Sequence, residues 1–149
     1  MAIRNIRKEN DEMLRKQCRE VTLFDGRLAQ LLEDMADTMY GADGVGLAGP
    51  QVGVLRRVCV IDAGDGLVEL VNPVIEAAGG TQEESEGCLS FPGLFGVTSR
   101  PQEVRVRAQD RNGDTFTVTG EGLKARALCH EIDHLDGILF QSRVIRQEK

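Results

Sequence analysis

The spacing of apolar residues predicts two helices in this chain. The first has an apolar residue every three or four positions, at Leu28, Leu31, Leu32, Met35 and Met39. Asp25 is a suitable N-cap, so we expect this helix to run from there to about Tyr40, with Gly41 ending it. A second helix is expected from about Leu123 to Leu135, ended by Asp136-Gly137.

Strands are predicted where apolar residues are continuous or alternate with polar ones. Residues 57–62 and 67–75 are apolar runs, the second with a kink or edge at Asn72-Pro73. Residues 104–108 alternate apolar and charged side chains, and Asn112-Gly113 indicates a hairpin turn before a return strand that begins at 116–118. Strands outnumber helices and do not alternate with them. We therefore predict a small α+β domain, residues 1–149, with antiparallel strands around the C-terminal helix.

Composition narrows the class of protein. The chain has 149 residues, 41% of them hydrophobic, and a net charge of −6. These values fit one globular domain and give no reason to expect nucleic-acid binding. No apolar run is long enough to span a bilayer, and the first residues lack the apolar segment of a signal peptide. We expect a cytoplasmic protein whose four cysteines are thiols rather than disulfides.

Both histidines of the chain lie in the segment His130-Glu131-Ile132-Asp133-His134. On a helix, residues four apart share a face, so His130 and His134 could bind one metal ion with Glu131 beside them as a proton carrier. Leu123 and Ala127 continue the same stripe toward the helix start, which predicts that this face packs inward. Buried histidines need partners, and a metal would satisfy both. The alternative is that they bond to backbone carbonyls.

A tetrahedral ion held by two histidines needs a third protein ligand if one position is to stay open for water. Cys59 lies in an apolar strand, and Cys18 lies in a charged segment. Cys129 adjoins His130 and therefore points about 100° away from it on the helix. Cys88 lies in a Gly-Cys-Leu-Ser turn just after Glu86, where a thiolate can be presented. These arguments favour Cys88 without excluding the others.

A glycine-rich segment occupies residues 44–53. Its glycines match G-x-G-x-x-G only in part, and the segment follows a helix rather than a strand, so dinucleotide binding is not expected. Glycine lets bare backbone lie against a substrate. Gln51 adds a neutral amide donor of the kind that stabilises an oxyanion.

Three segments together resemble the three motifs of the peptide deformylase family. They are residues 44–51 (GVGLAGPQ), 86–90 (EGCLS) and 130–134 (HEIDH). The similarity extends from Ala2 to Arg146, nearly the whole chain. That family removes the formyl group from the N-terminal formylmethionine of nascent bacterial and organellar polypeptides. The resemblance therefore implies a metal-dependent hydrolase that releases formate.

The resemblance also implies a role for each matching residue. The implied metal ligands are Cys88, His130 and His134. The implied catalytic groups are Glu131 as general base and acid, with Gln51 and the backbone N–H of Leu89 forming the oxyanion hole. The implied substrate contacts are Val45, Gly46, Glu86 and Arg100. Fe(II) is the implied native ion, and Zn(II), Ni(II) or Co(II) can take its place.

The implied partners are N-formylmethionyl peptides and, transiently, the ribosome, with no membrane or nucleic acid. The chain departs from the family at Gly49, where alanine is common, and at Cys129, where glutamine is common. Residues 9–12 replace a Pro-Asp-Pro-like stretch. The sequence stops soon after Ile145, without the longer C-terminal helix that docks many relatives to the ribosome. None of these departures removes a ligand or the glutamate.

Two other functions share the histidine motif. A zincin-type peptidase would need a third ligand on a downstream helix, and only fifteen residues follow His134. A non-enzymatic module with a structural metal would need four protein ligands. Asp133 is a poor fourth ligand, because it points away from the histidine stripe.

Overall fold

A computed structural model describes residues 2–147 of the chain. It contains two α-helices, α1 (Gly26–Gly41) and α2 (Leu123–Leu135). The described strands are β1 (Gly46–Ala48), β2 (Val58–Ile61), β3 (Val68–Gly79), β4 (Gln82–Cys88), β5 (Phe91–Arg100), β6 (Glu103–Gln109), β7 (Thr115–Glu121) and β8 (Val144–Gln147). Short 3-10 turns lie at Glu12–Arg15, Gly49–Val52 and Phe140–Arg143.

The strands form two antiparallel sheets that share α2 as a neighbour. One sheet has five strands in the order β1-β2-β3-β6-β7, and the other has three in the order β4-β5-β8. Helix α2 contacts β1, β2, β6 and β7 of the first sheet and β5 of the second. The predicted α+β class, with antiparallel strands around the C-terminal helix, is confirmed. The predicted extent of 1–149 includes positions 1, 148 and 149, which lie outside the described residues.

Both predicted helices have the expected ends. The Asp25 carboxylate caps α1 by accepting a hydrogen bond from the Leu28 N–H at 3.1 Å, and all five predicted apolar residues of α1 are buried. Helix α2 ends in a Schellman motif, in which the N–H groups of Gly137 and Ile138 donate to the carbonyls of His134 and Asp133. Gly137 has a φ of 74°, a value that favours glycine.

The predicted strands are present, with one longer than expected. β3 runs on to Gly79, and its kink is confirmed, because Asn72 has a φ of 52° and the register with β6 shifts between Val71 and Val74. The β6–β7 hairpin turns at Asn112-Gly113, as predicted.

The sequence pattern predicts neither β4 nor β5. β4 is Gln-Glu-Glu-Ser-Glu-Gly-Cys, and it buries only Gln82 and Glu86, so no apolar face marks it as a strand. Pairing with β5 creates the strand, and the turn that joins them at residues 89–90 places Cys88 at one end of the hairpin.

Candidate metal centre

Helix α2 and the end of β4 bring three ligand side chains together. His130 and His134 are buried, and their Nε2 atoms lie 3.2 Å apart. The Cys88 Sγ lies 3.4 Å from the His134 Nε2. One ligand atom from each of the three residues falls within 4.8 Å of the others. The predicted inward stripe is confirmed for Ala127 and both histidines but is wrong for Leu123, which is 43% exposed because the helix starts at the molecular surface.

The protein atoms at this point fit a divalent metal ion. Two imidazole nitrogens at 3.2 Å cannot both carry a proton toward each other. Burial lowers the pKa of His134 well below its ordinary value, so its ring is neutral and offers a lone pair. One sulfur and two nitrogens are donors that zinc and similar ions accept, and they leave one tetrahedral position open.

The other nitrogen of His130 is held by a carboxylate. The His130 Nδ1 lies 2.5 Å from the Glu86 Oε2, which fixes the ring orientation and leaves Nε2 for the metal. Glu86 also accepts hydrogen bonds from Thr98 at 2.8 Å and from two nitrogens of Arg100 at 2.6 and 3.1 Å. Burial opposes the charged form of Glu86, but the bonds from His130 and Arg100 prevail and lower its pKa to about 2.

Glu131 is enclosed on the other side of the centre. Its Oε2 lies 4.0 Å from the His130 Nε2, and its Oε1 has no hydrogen-bond partner among residues 2–147. Burial raises the pKa of Glu131 to about 7, against the attraction of His130. A carboxyl group with this pKa exists in both protonation states near neutral pH, which suits a group that accepts and returns a proton.

Two glycines make room for these groups. A Cβ at Gly46 would lie 2.5 Å from the Glu131 Oε2, so the carboxylate fills the place of a side chain. A Cβ at Gly44 would lie 2.5 Å from a methyl group of Leu89. The backbone at Gly44 and Gly46 is therefore closely approached by side chains of the centre, while the predicted contact of this segment with a substrate stays a prediction. That segment forms β1 and a 3-10 turn rather than a long helix.

Gln51 is oriented with its amide NH₂ toward the centre. Its Oε1 accepts a hydrogen bond from the Ala48 N–H at 3.0 Å, and its Nε2 donates to the Ser90 Oγ at 3.1 Å. The same Nε2 lies 3.5 Å from the Cys88 Sγ. Because the carbonyl end is fixed, the donor end points at the metal centre. The sequence motif at 86–90 includes Ser90, but the contact of its hydroxyl with Gln51 depends on the fold and is not predicted from the sequence.

A cavity of about 200 Å³ opens beside the centre. It is bounded on one side by the β1 end and on the other by β4, and α2 forms its base. Its lining residues are Val45, Gly46, Ser85, Glu86, Gly87, Leu123, Arg126, Ala127, His130 and Glu131. In the described part of the chain, residues 2–147, β1 pairs only with β2, and β4 pairs only with β5. Each strand therefore presents an unpaired backbone edge next to this cavity.

The predicted site residues lie in one region of the molecule. Val45 and Gly46 line the cavity. Glu86 contacts His130, and Arg100 donates to Glu86. Leu89 follows Cys88 in the sequence. Cys59 and Cys129 lie in the apolar core instead. Asp133 points away from the centre and bonds Arg100, as the helix spacing indicated for its direction.

A thiol and two imidazoles beside an enclosed carboxylate form the donor set of a mononuclear metal-dependent hydrolase.

Among residues 2–147, neither helix has the length and apolar character needed to cross a bilayer.

Comparison with known proteins identifies the family. A family model described as Polypeptide deformylase matches residues 3–149. The peptide deformylase of Caldicellulosiruptor bescii is 60% identical over 146 residues, which are 98% of this chain and 88% of that protein. The peptide deformylase of Acetivibrio thermocellus is 59% identical over 98% of this chain and 86% of its own length.

Solved structures of peptide deformylases share the fold of this chain. The crystal structure of the Thermotoga maritima peptide deformylase superposes with a TM-score of 0.94 at 41% identity, covering 97% of this chain and 99% of that one. The Legionella pneumophila peptide deformylase gives a TM-score of 0.92 at 48% identity, covering 96% and 86%. The chain belongs to the peptide deformylase family, enzymes that remove N-formyl groups from nascent peptides. The resemblance inferred from the three motifs is confirmed.

Proposed function

We propose that residues 1–149 form one catalytic domain that removes the formyl group from N-formylmethionyl peptides through a metal held by Cys88, His130 and His134. The observation that carries this proposal is the convergence of those three ligand atoms beside the enclosed carboxylate of Glu131. The arrangement has an open position on one side and a proton carrier on the other. Both are needed to hydrolyse an amide and neither is needed to hold a structural ion.

The peptide binds between the two unpaired strand edges. An extended formylmethionyl chain can pair with β1 through the backbone of Gly46 and lie against the β4 edge at Glu86–Cys88, as an added strand does. This places the methionine side chain in the 200 Å³ cavity, with Val45 and Leu123 at its rim. Steric exclusion beside the metal then favours a formyl group over an acetyl group, which carries one more methyl.

Each catalytic residue has a distinct task. When bound, the divalent ion supplies a Lewis acid that lowers the pKa of water and polarises a carbonyl. Glu131 takes a proton from the attacking water and then gives it to the departing amine, so that formate and a free N-terminus result. The NH₂ of Gln51 and the N–H of Leu89 donate to the charge that develops on the formyl oxygen. One such donor typically contributes about 3 kcal/mol.

The ion and the cellular context follow from the family rather than from spacing. We propose Fe(II) as the native ion, with Zn(II), Ni(II) or Co(II) able to occupy the same donors. A ferrous ion with a thiolate ligand makes the site oxygen-sensitive. The substrate is a nascent chain, so we place the enzyme in the cytoplasm, where it contacts the ribosome transiently.

The deciding experiment measures formate release from formyl-Met-Ala-Ser by protein purified anaerobically with its metal. Glu131→Gln should keep one equivalent of metal and lose about 10²–10⁴-fold in kcat, because the amide cannot carry the proton. Cys88→Ala should lose metal affinity. Asp136→Asn, an exposed change at the residue that follows the same helix, is the control and should retain both. Wild-type protein with one equivalent of metal and no formate release would refute the proposal.

A further inference from the structure

A chain of buried ionic contacts continues outward from the metal centre. Beyond Glu86, the Arg100 Nη1 donates to the Asp133 Oδ2 at 2.7 Å. The side chain of Arg100 is only 3% exposed and that of Asp133 is 14% exposed. The guanidinium therefore lies between two carboxylates, one that holds His130 and one that the catalytic motif leaves unused.

Asp133 is itself held from a separate part of the fold. Arg143, at the end of the 3-10 turn Phe140–Arg143, donates to both carboxylate oxygens of Asp133, from Nε and Nη2 at 3.1 Å each. A guanidinium that forms two parallel bonds fixes a carboxylate in plane as well as in position. Asp133 consequently shares its Oδ2 between Arg100 and Arg143, and the bond from Arg143 to its Oδ1 opposes rotation of the carboxylate.

The geometry constrains Arg100 at both ends. Its Nε and Nη2 face Glu86, and its Nη1 faces Asp133. Without Asp133, the buried Nη1 of Arg100 would lose its carboxylate partner. A guanidinium that shifts to recover a partner for Nη1 would pull on the two bonds that it makes to Glu86. Ligand orientation by outer contacts of this kind commonly changes metal affinity by about 10–100-fold.

We propose that Asp133, clamped by Arg143, is a positioning residue of the metal centre. It fixes Arg100 against Glu86, and Glu86 in turn fixes the imidazole of His130. The proposal rests on the ligand roles given under Proposed function. It also extends the centre to the segment that follows α2, since Arg143 belongs to that segment and β8 continues it.

The test measures Co(II) affinity and the visible spectrum of the folded Co(II) protein, with the unfolding free energy of metal-free protein recorded separately. Asp133→Asn should weaken Co(II) binding about tenfold and shift the ligand-field bands. Arg143→Gln removes both bonds from Arg143 to Asp133 but leaves Asp133 in place. It should therefore weaken Co(II) binding about threefold, which is half of the effect of Asp133→Asn on a logarithmic scale. Arg143→Lys should restore part of the loss. A role in stability alone would lower the unfolding free energy and leave affinity and spectrum unchanged.

Arg146→Gln is the matched control, because Arg146 lies three residues further on and forms an exposed pair with Glu83. If Asp133→Asn does not fold, Arg143→Gln decides, since Arg143 is 44% exposed and we expect its replacement to leave the fold intact. Variants that bind Co(II) as tightly as Arg146→Gln would overturn the positioning role alone. If Cys88 is a ligand, the Co(II) wild-type protein should show a thiolate-to-cobalt absorption band, and Cys88→Ser should abolish it. A wild-type protein that lacks this band would overturn the proposed function instead.

Discussion

Helix α2 packs against the five-stranded sheet through apolar side chains and against the three-stranded sheet through ions and amides. On the first side, Ala125, Leu128, Ile132 and Leu135 join a buried cluster with the strand residues. On the second side, His130 bonds Glu86, Asp133 bonds Arg100, and Arg126 bonds Gln82. One helix therefore has an apolar flank and an ionic flank.

The two flanks fix the helix in different ways. Apolar contact is non-directional and tolerates small displacements of the helix. Charged hydrogen bonds depend on distance and angle, so they set where each ring and carboxylate points. We infer that the apolar flank stabilises the fold without setting the geometry of the centre, and that the ionic flank sets that geometry.

The largest expected effect comes from breaking the ionic flank at its middle. Arg100→Met should lower the free energy of unfolding by about 3–5 kcal/mol, because it leaves Glu86 and Asp133 without the cation between them. Urea unfolding of metal-free protein measures this. Arg146→Met, which removes an exposed pair, should cost less than about 1 kcal/mol. Similar losses in the two variants would show that the buried network does not stabilise the fold.

The next effect tests the apolar flank. Leu128 is fully buried between α2 and the five-stranded sheet, and Leu128→Ala should destabilise by about 3 kcal/mol through lost burial and a residual cavity. The Co(II) affinity of the remaining folded protein should not change, which distinguishes this flank from the other. Leu67→Ala, at a side chain that is 42% exposed, is the control. A large drop in Co(II) affinity for Leu128→Ala would remove the distinction.

A smaller effect is expected where β1 meets Glu131. Gly46→Ala adds a Cβ 2.5 Å from the Glu131 Oε2, so the carboxylate must move. We expect kcat for formate release to fall about 10–100-fold, as happens when a reacting group is misplaced by about 1 Å. Gly26→Ala is the control, because a Cβ there meets nothing within 4 Å. Full activity in Gly46→Ala would mean that Glu131 need not occupy this niche.

The last effect changes neither stability nor turnover and is a rate of thiol labelling. Cys18 packs against the apolar cluster, and burial raises its pKa to about 11, with Asp136 adding to and Arg57 opposing the shift. Only the thiolate reacts, so at pH 8 folded protein should be alkylated at Cys18 about 100-fold more slowly than unfolded protein. The rate should rise as the pH approaches 11. Peptide mass spectrometry reports it, and equal rates in both states would show that the apolar flank opens at this point.

The sequence predicts the apolar flank far better than the ionic one. The spacing of apolar residues gives both helices, and Asn112-Gly113 gives the β6–β7 hairpin, because these elements depend on local periodicity and turn chemistry. β4 has no such signal. Its glutamates become a strand only because β5 supplies hydrogen-bond partners from 10 to 16 residues further along the chain.

The site likewise has features that local spacing predicts and contacts that only the folded chain creates. Helical spacing places His130 and His134 on one face and turns Asp133 away, but it does not reveal that Asp133 meets Arg100 from another sheet. The choice of Cys88 over the other cysteines and the contacts of Glu86 depend on pairing between distant segments. The family motifs supplied what local pattern does not. The roles of these residues in turnover remain predictions.

Val45 and Gly46 are adjacent in sequence and face opposite constraints on change. The space that a side chain at Gly46 would need is already filled by the carboxyl group of Glu131, so any residue that replaces this glycine competes with that carboxyl group for the same space. Val45 borders open cavity and is 36% exposed, so its size can vary. In a library randomised at both positions and selected for activity, position 46 should remain glycine while position 45 accepts several residues. Substitution of Val45 can therefore adapt the cavity to a new peptide or an inhibitor, whereas substitution of Gly46 cannot.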